Sequence, residues 1–131
     1  METTGSRALR ILLLEPNRLW REGLSRVLED TGYTVVAGAD TLSNELAEMM
    51  RDGDEPDLAV LDASAIGEDA VGEFDAARAQ LPKLRIVVFT DPATPGDALS
   101  CFIAGADGCL MKNISSKAMA GCLDLVAVGE R

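Results

Sequence analysis

Short apolar runs alternate along this chain with longer segments in which apolar residues recur every three or four positions. Five such runs, rich in Leu, Ile and Val, have the length and composition of strands that are buried on both faces. They occupy positions 9–14, 33–37, 57–62, 84–89 and 109–111. This pattern predicts five strands of a parallel sheet.

The intervening segments predict five amphipathic helices. The first begins after the N-cap candidate Asn17 and ends before Gly32, and the fourth begins at Thr94 and Pro95, a hydroxyl cap followed by proline. The others are expected at about 41–51, 69–80 and 115–128. Because strands and helices alternate at spacings that suit right-handed crossovers, we expect an α/β fold of the flavodoxin-like type. Its five-stranded parallel sheet would have the order 2-1-3-4-5, with helices on both faces.

The apolar positions also predict which helical faces are buried. On the third helix, the expected stripe consists of Val71, Phe74, Ala77 and Leu81. On the fourth helix, it consists of Ala98, Leu99, Phe102 and Ile103. The last helix is apolar over a wider arc, around Met119, Leu123 and Val126. An arc of this width indicates a partner surface, so we expect a homodimer through the last two helices.

Composition narrows the classes of function. The chain has 131 residues, which is typical of one domain, and its 22 acidic and 12 basic residues give a net charge of −10. This charge repels nucleic-acid phosphates, and an aromatic content of 4% offers few stacking surfaces for bases. We therefore expect no direct binding of DNA or RNA by this chain.

The residue types present exclude further kinds of chemistry. The chain has no histidine, which excludes histidine-based catalysis and argues against a zinc site. Its cysteines, Cys101, Cys109 and Cys122, lack metal-binding spacing and are interpreted as small core residues in a reducing compartment. No apolar run approaches the ~20 residues that cross a bilayer, and the N-terminus lacks a signal-peptide core. We expect a cytoplasmic protein that does not contact membranes and is not an enzyme.

Four functional groups stand at the ends of the predicted strands. Glu15 follows the first strand and Asp62 ends the third, while Thr90 and Lys112 follow the fourth and the fifth. Because the carboxyl ends of parallel strands meet at one edge of a sheet, we expect these groups to converge. A nucleophilic carboxylate, a second acid, a hydroxyl and an ammonium together suit phosphoryl transfer. For Glu15, two interpretations stay open: a metal ligand, or a turn acid that pairs with Lys112 or a neighbouring amide.

The segments around these residues resemble the receiver domains of two-component response regulators, most closely those of the NarL/LuxR class. The resemblance covers essentially the whole chain and is clearest at 11–24 and at 104–112. It implies that Asp62 accepts a phosphoryl group from a histidine kinase. It also implies that Thr90 is the switch hydroxyl and that Lys112 contacts the phosphoryl oxygens.

The same resemblance implies a Mg²⁺ site, from which the sequence departs. The ligands would be Glu15, Asp62 and the backbone carbonyl of Ser64, but Pro16 stands where such receivers have a second acid. We therefore expect Mg²⁺ binding to be weak or lost, with Lys112 forming an ion pair with Asp62 instead. Three further positions differ from the family pattern: Ile66 replaces the usual proline, Asp91 a small residue and Cys109 an aromatic residue.

Three functions from different classes follow from these residues. The leading one is a signalling receiver that is phosphorylated on Asp62 and regulates an output, transcription in the NarL/LuxR class. The alternative is a phosphorylation-independent pseudo-receiver that acts as a protein-interaction or dimerisation module. A small flavodoxin-like enzyme is a third, poorer alternative, because the loop 15–18 lacks the Ser, Thr and Gly donors that cradle a phosphate.

The resemblance further implies that this chain is one part of a longer protein. We expect residues 1–131 to be an N-terminal receiver domain, followed by a helix-turn-helix domain that binds DNA. Contact with DNA would then be made only through that second domain.

Overall fold

The computed structural model of the protein describes residues 9–91 and 95–129. Five parallel strands form one sheet in the order β2-β1-β3-β4-β5, as the sequence predicts. The strands are β1 Arg10–Leu14, β2 Thr34–Gly38, β3 Leu58–Asp62, β4 Arg85–Thr90 and β5 Gly108–Met111. The predicted flavodoxin-like α/β class is confirmed.

In the described residues, four α-helices connect successive strands and a fifth follows β5. They are α1 Arg18–Asp30, α2 Leu42–Arg51, α3 Ala70–Gln80, α4 Pro95–Ala104 and α5 Ser116–Ala127, and a single 3-10 turn, Ala63–Ala65, follows β3. The predicted cap of α1 is confirmed, since the Asn17 side chain accepts a hydrogen bond from the Trp20 N–H at 3.0 Å. Ser115 caps α5 in the same way. The predicted cap of α4, Thr94, lies outside the described residues.

Side chains alternate between the two faces of the sheet. On β1, Leu12 and Leu14 face the core formed with α2, α3 and α4, whereas Ile11 and Leu13 face the core formed with α1 and α5. The sheet is therefore covered on both sides, which explains why its central strands consist almost entirely of apolar residues. No helix within residues 9–91 and 95–129 is long and apolar enough to span a bilayer.

The predicted apolar face of α4 is wrong. Leu99, Phe102 and Ile103 are 62%, 51% and 76% exposed, and the helix packs on the sheet through Cys101 and Ala104 instead. These two small residues, three positions apart, allow α4 to lie close to the sheet, and the larger apolar residues then face solvent. The prediction from the sequence relied on the spacing of the large apolar side chains, and it therefore assigned the wrong face of α4 to the core.

Two other predicted faces also need correction. Val71 is about half exposed, so the buried stripe of α3 begins at Phe74 and Ala77. On α5, the positions Met119, Leu123 and Val126 are buried against the sheet and are not available to a partner. The large apolar side chains that are exposed in this region are those of Leu125 on α5 and of Val128, its C-cap residue.

Candidate functional site

Strand register brings the first two predicted site residues together. Leu14 of β1 pairs with Leu61 of β3, so Glu15 and Asp62 stand next to each other where these central strands end. Lys112 follows β5, and its backbone N–H donates to the carbonyl of Thr90 at 3.0 Å. The four residues thus share one edge of the sheet, as expected from parallel strands.

Asp62 and Lys112 form the centre of the site. Asp62 is only 5% exposed and lines an open cavity of about 400 Å³ together with Lys112, Ile66 and Asp91. The Lys112 ammonium contacts Oδ1 of Asp62 and lies 3.7 Å from Oε1 of Glu15. The predicted ion pair between Lys112 and Asp62 is confirmed.

Of the two interpretations of Glu15, the described contacts are those of the turn acid. Its Oε2 accepts a hydrogen bond from the Asn17 N–H at 3.0 Å, and its Oε1 faces Lys112, which is the arrangement of a turn acid. The loop is held further by Arg21, whose Nη1 donates to the Glu15 carbonyl at 2.7 Å. Glu15 is 4% exposed, so its carboxylate is fixed beside that of Asp62.

Ser64 has a contact that the sequence did not predict. Its backbone N–H donates to Oδ2 of Asp62 at 2.9 Å, and its hydroxyl donates to the same oxygen. From the sequence, only the backbone carbonyl of Ser64 was expected at the site, as a metal ligand. The signal for the additional contact was a serine two positions after an acid, the spacing at which an N-cap aspartate meets the first turn of a helix.

These contacts shift the pKa values of the ion pair in opposite directions. Burial raises the pKa of Asp62, but the hydrogen bonds from Lys112 and Ser64 outweigh burial and hold the pKa below its ordinary value. Burial lowers the pKa of Lys112, but its hydrogen bond and charge interaction with Asp62 outweigh burial, and the pKa is raised. Both groups are therefore charged at neutral pH.

The Thr90 hydroxyl does not enter the cavity. Thr90 is fully buried, and its hydroxyl donates to the sulfur of Met111 at 3.4 Å and lies 3.8 Å from the sulfur of Cys109. It therefore faces β5. Burial raises the pKa of the Cys109 thiol, which keeps that thiol protonated and makes it a poor nucleophile.

The side chains around Asp62 do not fit a complete divalent-metal site. Within residues 9–91 and 95–129, no group of three or more Asp, Glu, Cys or His side chains is placed to hold a metal ion. Both Asp62 oxygens are engaged by Lys112 and Ser64, and Pro16 contributes no side-chain ligand. The arrangement is a carboxylate neutralised by an internal ammonium.

Comparison with known proteins gives matches to one family. Residues 11–124 match the response regulator receiver domain. The chain is 28% identical over 120 residues to the nitrate/nitrite response regulator protein NarL of Escherichia coli, covering 92% of this chain and 55% of that protein. It is 26% identical over 123 residues to the nitrate/nitrite response regulator homolog of Haemophilus influenzae, covering 93% of this chain and 58% of that protein.

A solved structure gives the same assignment. The structure of a LuxR-family two-component response regulator from an Aurantimonas species superposes with a TM-score of 0.77 at 29% identity, over 95% of this chain and 88% of that one. The chain spans little more than half the length of the two curated relatives.

Proposed function

The chain belongs to the response regulator receiver domain family, and from this premise we propose that Asp62 accepts a phosphoryl group from a histidine kinase. One observation carries the proposal. Asp62 is a buried, ionised carboxylate at the carboxyl end of β3, it opens onto a cavity of about 400 Å³, and the Lys112 ammonium touches it. A strand-end aspartate with only a capping role needs neither the cavity nor the ammonium.

The transfer step follows from the charges at this site. An oxygen of the Asp62 carboxylate attacks phosphorus, and the bond from phosphorus to the kinase histidine nitrogen breaks with its electron pair remaining on nitrogen. The product is an acyl phosphate, which carries more negative charge than the carboxylate did. Lys112 offsets part of that charge, while Glu15 beside it opposes the approach of the phosphoryl group.

Receiver domains of this family typically bind Mg²⁺ in the acidic pocket. For this chain we propose weak Mg²⁺ binding, because Pro16 cannot supply a side-chain ligand, the Lys112 ammonium contacts one oxygen of Asp62, and the other oxygen accepts hydrogen bonds from Ser64. Phosphorylation is therefore expected to be slow, with Lys112 as the main positive charge at the site.

The proposed output is transcription, exerted through a DNA-binding domain that is not part of this chain. The LuxR-family and NarL relatives support this proposal, since they are response regulators and NarL is nearly twice as long as the segment matched here. The net charge of −10 supports it too, because a domain so acidic would have to regulate DNA binding rather than perform it.

A phosphorylation-independent receiver is the second candidate, and particular observations favour it. Pro16 stands where such receivers have a second acid, and the Thr90 hydroxyl donates to the sulfur of Met111. Such a protein would keep the fold as an interaction module and would never carry a phosphoryl group.

Mass spectrometry after incubation with acetyl phosphate distinguishes the two candidates. The expected result is a single added phosphoryl group, located on the peptide that contains Asp62 and absent from the Asp62→Asn variant. An unlabelled protein at saturating Mg²⁺, in a preparation shown to be folded by circular dichroism, would favour the second candidate.

A further inference from the structure

Trp20 lies beside the ammonium that neutralises Asp62. It is the only tryptophan of the chain and belongs to the first turn of α1. Its ring centroid is 5.4 Å from Nζ of Lys112, with the ammonium over the ring. Its other neighbour is the Phe89 ring, at a centroid distance of 6.3 Å and an interplanar angle of 49°. Aromatic rings attract cations at this distance through their negative faces.

Lys112 and Phe89 separate two cavities. Each of them lines the cavity that contains Asp62, and each also lines a mainly apolar cavity of about 300 Å³ between α1 and α5, to which Trp20 contributes. The Lys112 side chain therefore passes between Trp20 and Asp62, and its ammonium is in contact with both. The Lys112 side chain is 26% exposed. Contact with solvent does not restrict it to one rotamer, so its position depends on the protein groups that it contacts.

We propose that Trp20 is a positioning residue for phosphoryl acceptance, whose ring holds the Lys112 ammonium beside Asp62. This inference rests on the proposed function. A lysine side chain has four rotatable bonds, and holding it in one place costs conformational entropy that a fixed cation-binding ring offsets. In a receiver without a complete metal site, Lys112 is the main group that offsets the charge of the phosphoryl group. The position of its ammonium therefore affects the phosphorylation rate more than it would if a metal ion offset part of that charge.

The positioning role requires the aromatic face of the Trp20 ring, which attracts the cation, more than it requires the size of the side chain. Leucine at position 20 would keep an apolar side chain next to Phe89 but would remove the ring face. Phenylalanine would keep a ring, with a weaker attraction for cations than indole has. The variants Trp20→Leu and Trp20→Phe therefore separate packing from cation binding, and Leu19→Ala is a matched control on the same turn, since Leu19 is 82% exposed.

The position of Lys112 can be measured without any phosphorylation. In ¹H–¹³C NMR spectra, ring currents of Trp20 should displace the Lys112 ε-methylene protons from those of Lys83 and Lys117, the other lysines of the chain. We expect the displacement to disappear in Trp20→Leu, to remain in part in Trp20→Phe and to be unchanged in Leu19→Ala. An unchanged Lys112 signal in Trp20→Leu would overturn the inference.

The effect on the reaction is measured as the initial rate of Asp62 labelling by acetyl phosphate. Loss of a partly exposed cation–ring attraction should slow Trp20→Leu by about two- to fivefold, with Trp20→Phe recovering part of the rate. Equal rates in the unaltered protein and Trp20→Leu would overturn the positioning role. If no variant is labelled, the proposed function fails instead, and the NMR result then decides whether Trp20 holds Lys112.

Discussion

At the scale of single residues, the balance of charge around Asp62 determines how the site behaves. Three donors point at its carboxylate, namely the Lys112 ammonium and the N–H and hydroxyl of Ser64. All three favour the ionised form and together outweigh the effect of burial on the pKa of Asp62. The resting site is thus a closed ion pair that an incoming phosphoryl group must rearrange.

The lowered pKa of Asp62 predicts a pH-dependent contribution to stability. Because the folded-state pKa is below the unfolded-state value, this stabilisation is present above about pH 4 and is lost as the pH falls through the folded-state value. The unfolding free energy of the unaltered protein, relative to Asp62→Asn, should therefore decrease between pH 6 and pH 3. Urea unfolding at several pH values measures this difference, and a difference that stays constant would contradict the ion-pair account.

Sequence patterns located the site residues but not the direction of their side chains. Asp62, Lys112 and Glu15 were predictable because strand ends converge in a parallel sheet, whatever the details of packing. The Thr90 hydroxyl was not, since a buried threonine at a strand end can rotate towards either neighbouring strand, and here it faces Met111 of β5. The rotamer of a buried side chain depends on its neighbours in the tertiary structure, and the periodicity of the sequence gives no information about these neighbours.

At the scale of secondary-structure elements, a second charged cluster lies at the opposite edge of the sheet. Asp107, just before β5, is 4% exposed and accepts hydrogen bonds from Nη2 of Arg78 at 2.7 Å and from the Ile86 N–H at 2.8 Å. Nη1 of Arg85 lies 3.7 Å from its other oxygen. One carboxylate thus connects α3, β4 and the turn that leads into β5.

Removal of this carboxylate should destabilise the fold. Asp107→Ala leaves the buried Ile86 N–H and the Arg78 guanidinium without their acceptor, and we expect a loss of about 2–3 kcal/mol in the free energy of unfolding. Urea unfolding measures the loss. Glu22→Ala is the control, since Glu22 forms only an exposed pair with Arg18 and its removal should have little effect. A loss no larger than that of the control would show that Asp107 is not a structural tie.

Capping residues explain which helix boundaries could be predicted from the sequence. Asn17, Thr41 and Ser115 cap their helices through side-chain oxygens, and Gly105 ends α4 with φ of +111°, a conformation that favours glycine. These residues act on backbone groups only a few positions away in the chain, so they can be recognised in the sequence. The exposed face of α4 was missed because burial depends on how closely the helix approaches the sheet, which small residues decide.

At the scale of the whole molecule, five of the large exposed apolar side chains lie on α4 and at the C-terminal part of α5. These are Leu99, Phe102 and Ile103 on α4, Leu125 on α5, and Val128, the C-cap residue of α5. Exposed apolar residues in this number are typical of an interface, so a homodimer through α4 and α5 stays a proposal. Its interface would consist of these exposed residues instead of Met119 and Leu123, which are buried. Because Cys109 is small, we expect this dimer to form without phosphorylation.

Sedimentation velocity tests this dimer. The unaltered protein should sediment as a dimer with or without beryllofluoride, and Ile103→Glu should convert it to a monomer. Val71→Glu is the matched control, an exposed apolar position on α3. A monomer in both states would exclude the interface, and a dimer only with beryllofluoride would exclude constitutive assembly.

The most direct test of the account is the dependence of Asp62 phosphorylation on Mg²⁺. The initial rate of labelling by acetyl phosphate is measured against Mg²⁺ concentration for the unaltered protein, Pro16→Asp and the control Pro16→Ala. We expect slow labelling of the unaltered protein and of Pro16→Ala, and a marked increase with Mg²⁺ in Pro16→Asp, because the new carboxylate supplies the missing ligand. Fast labelling of the unaltered protein that saturates at low Mg²⁺ would contradict the account.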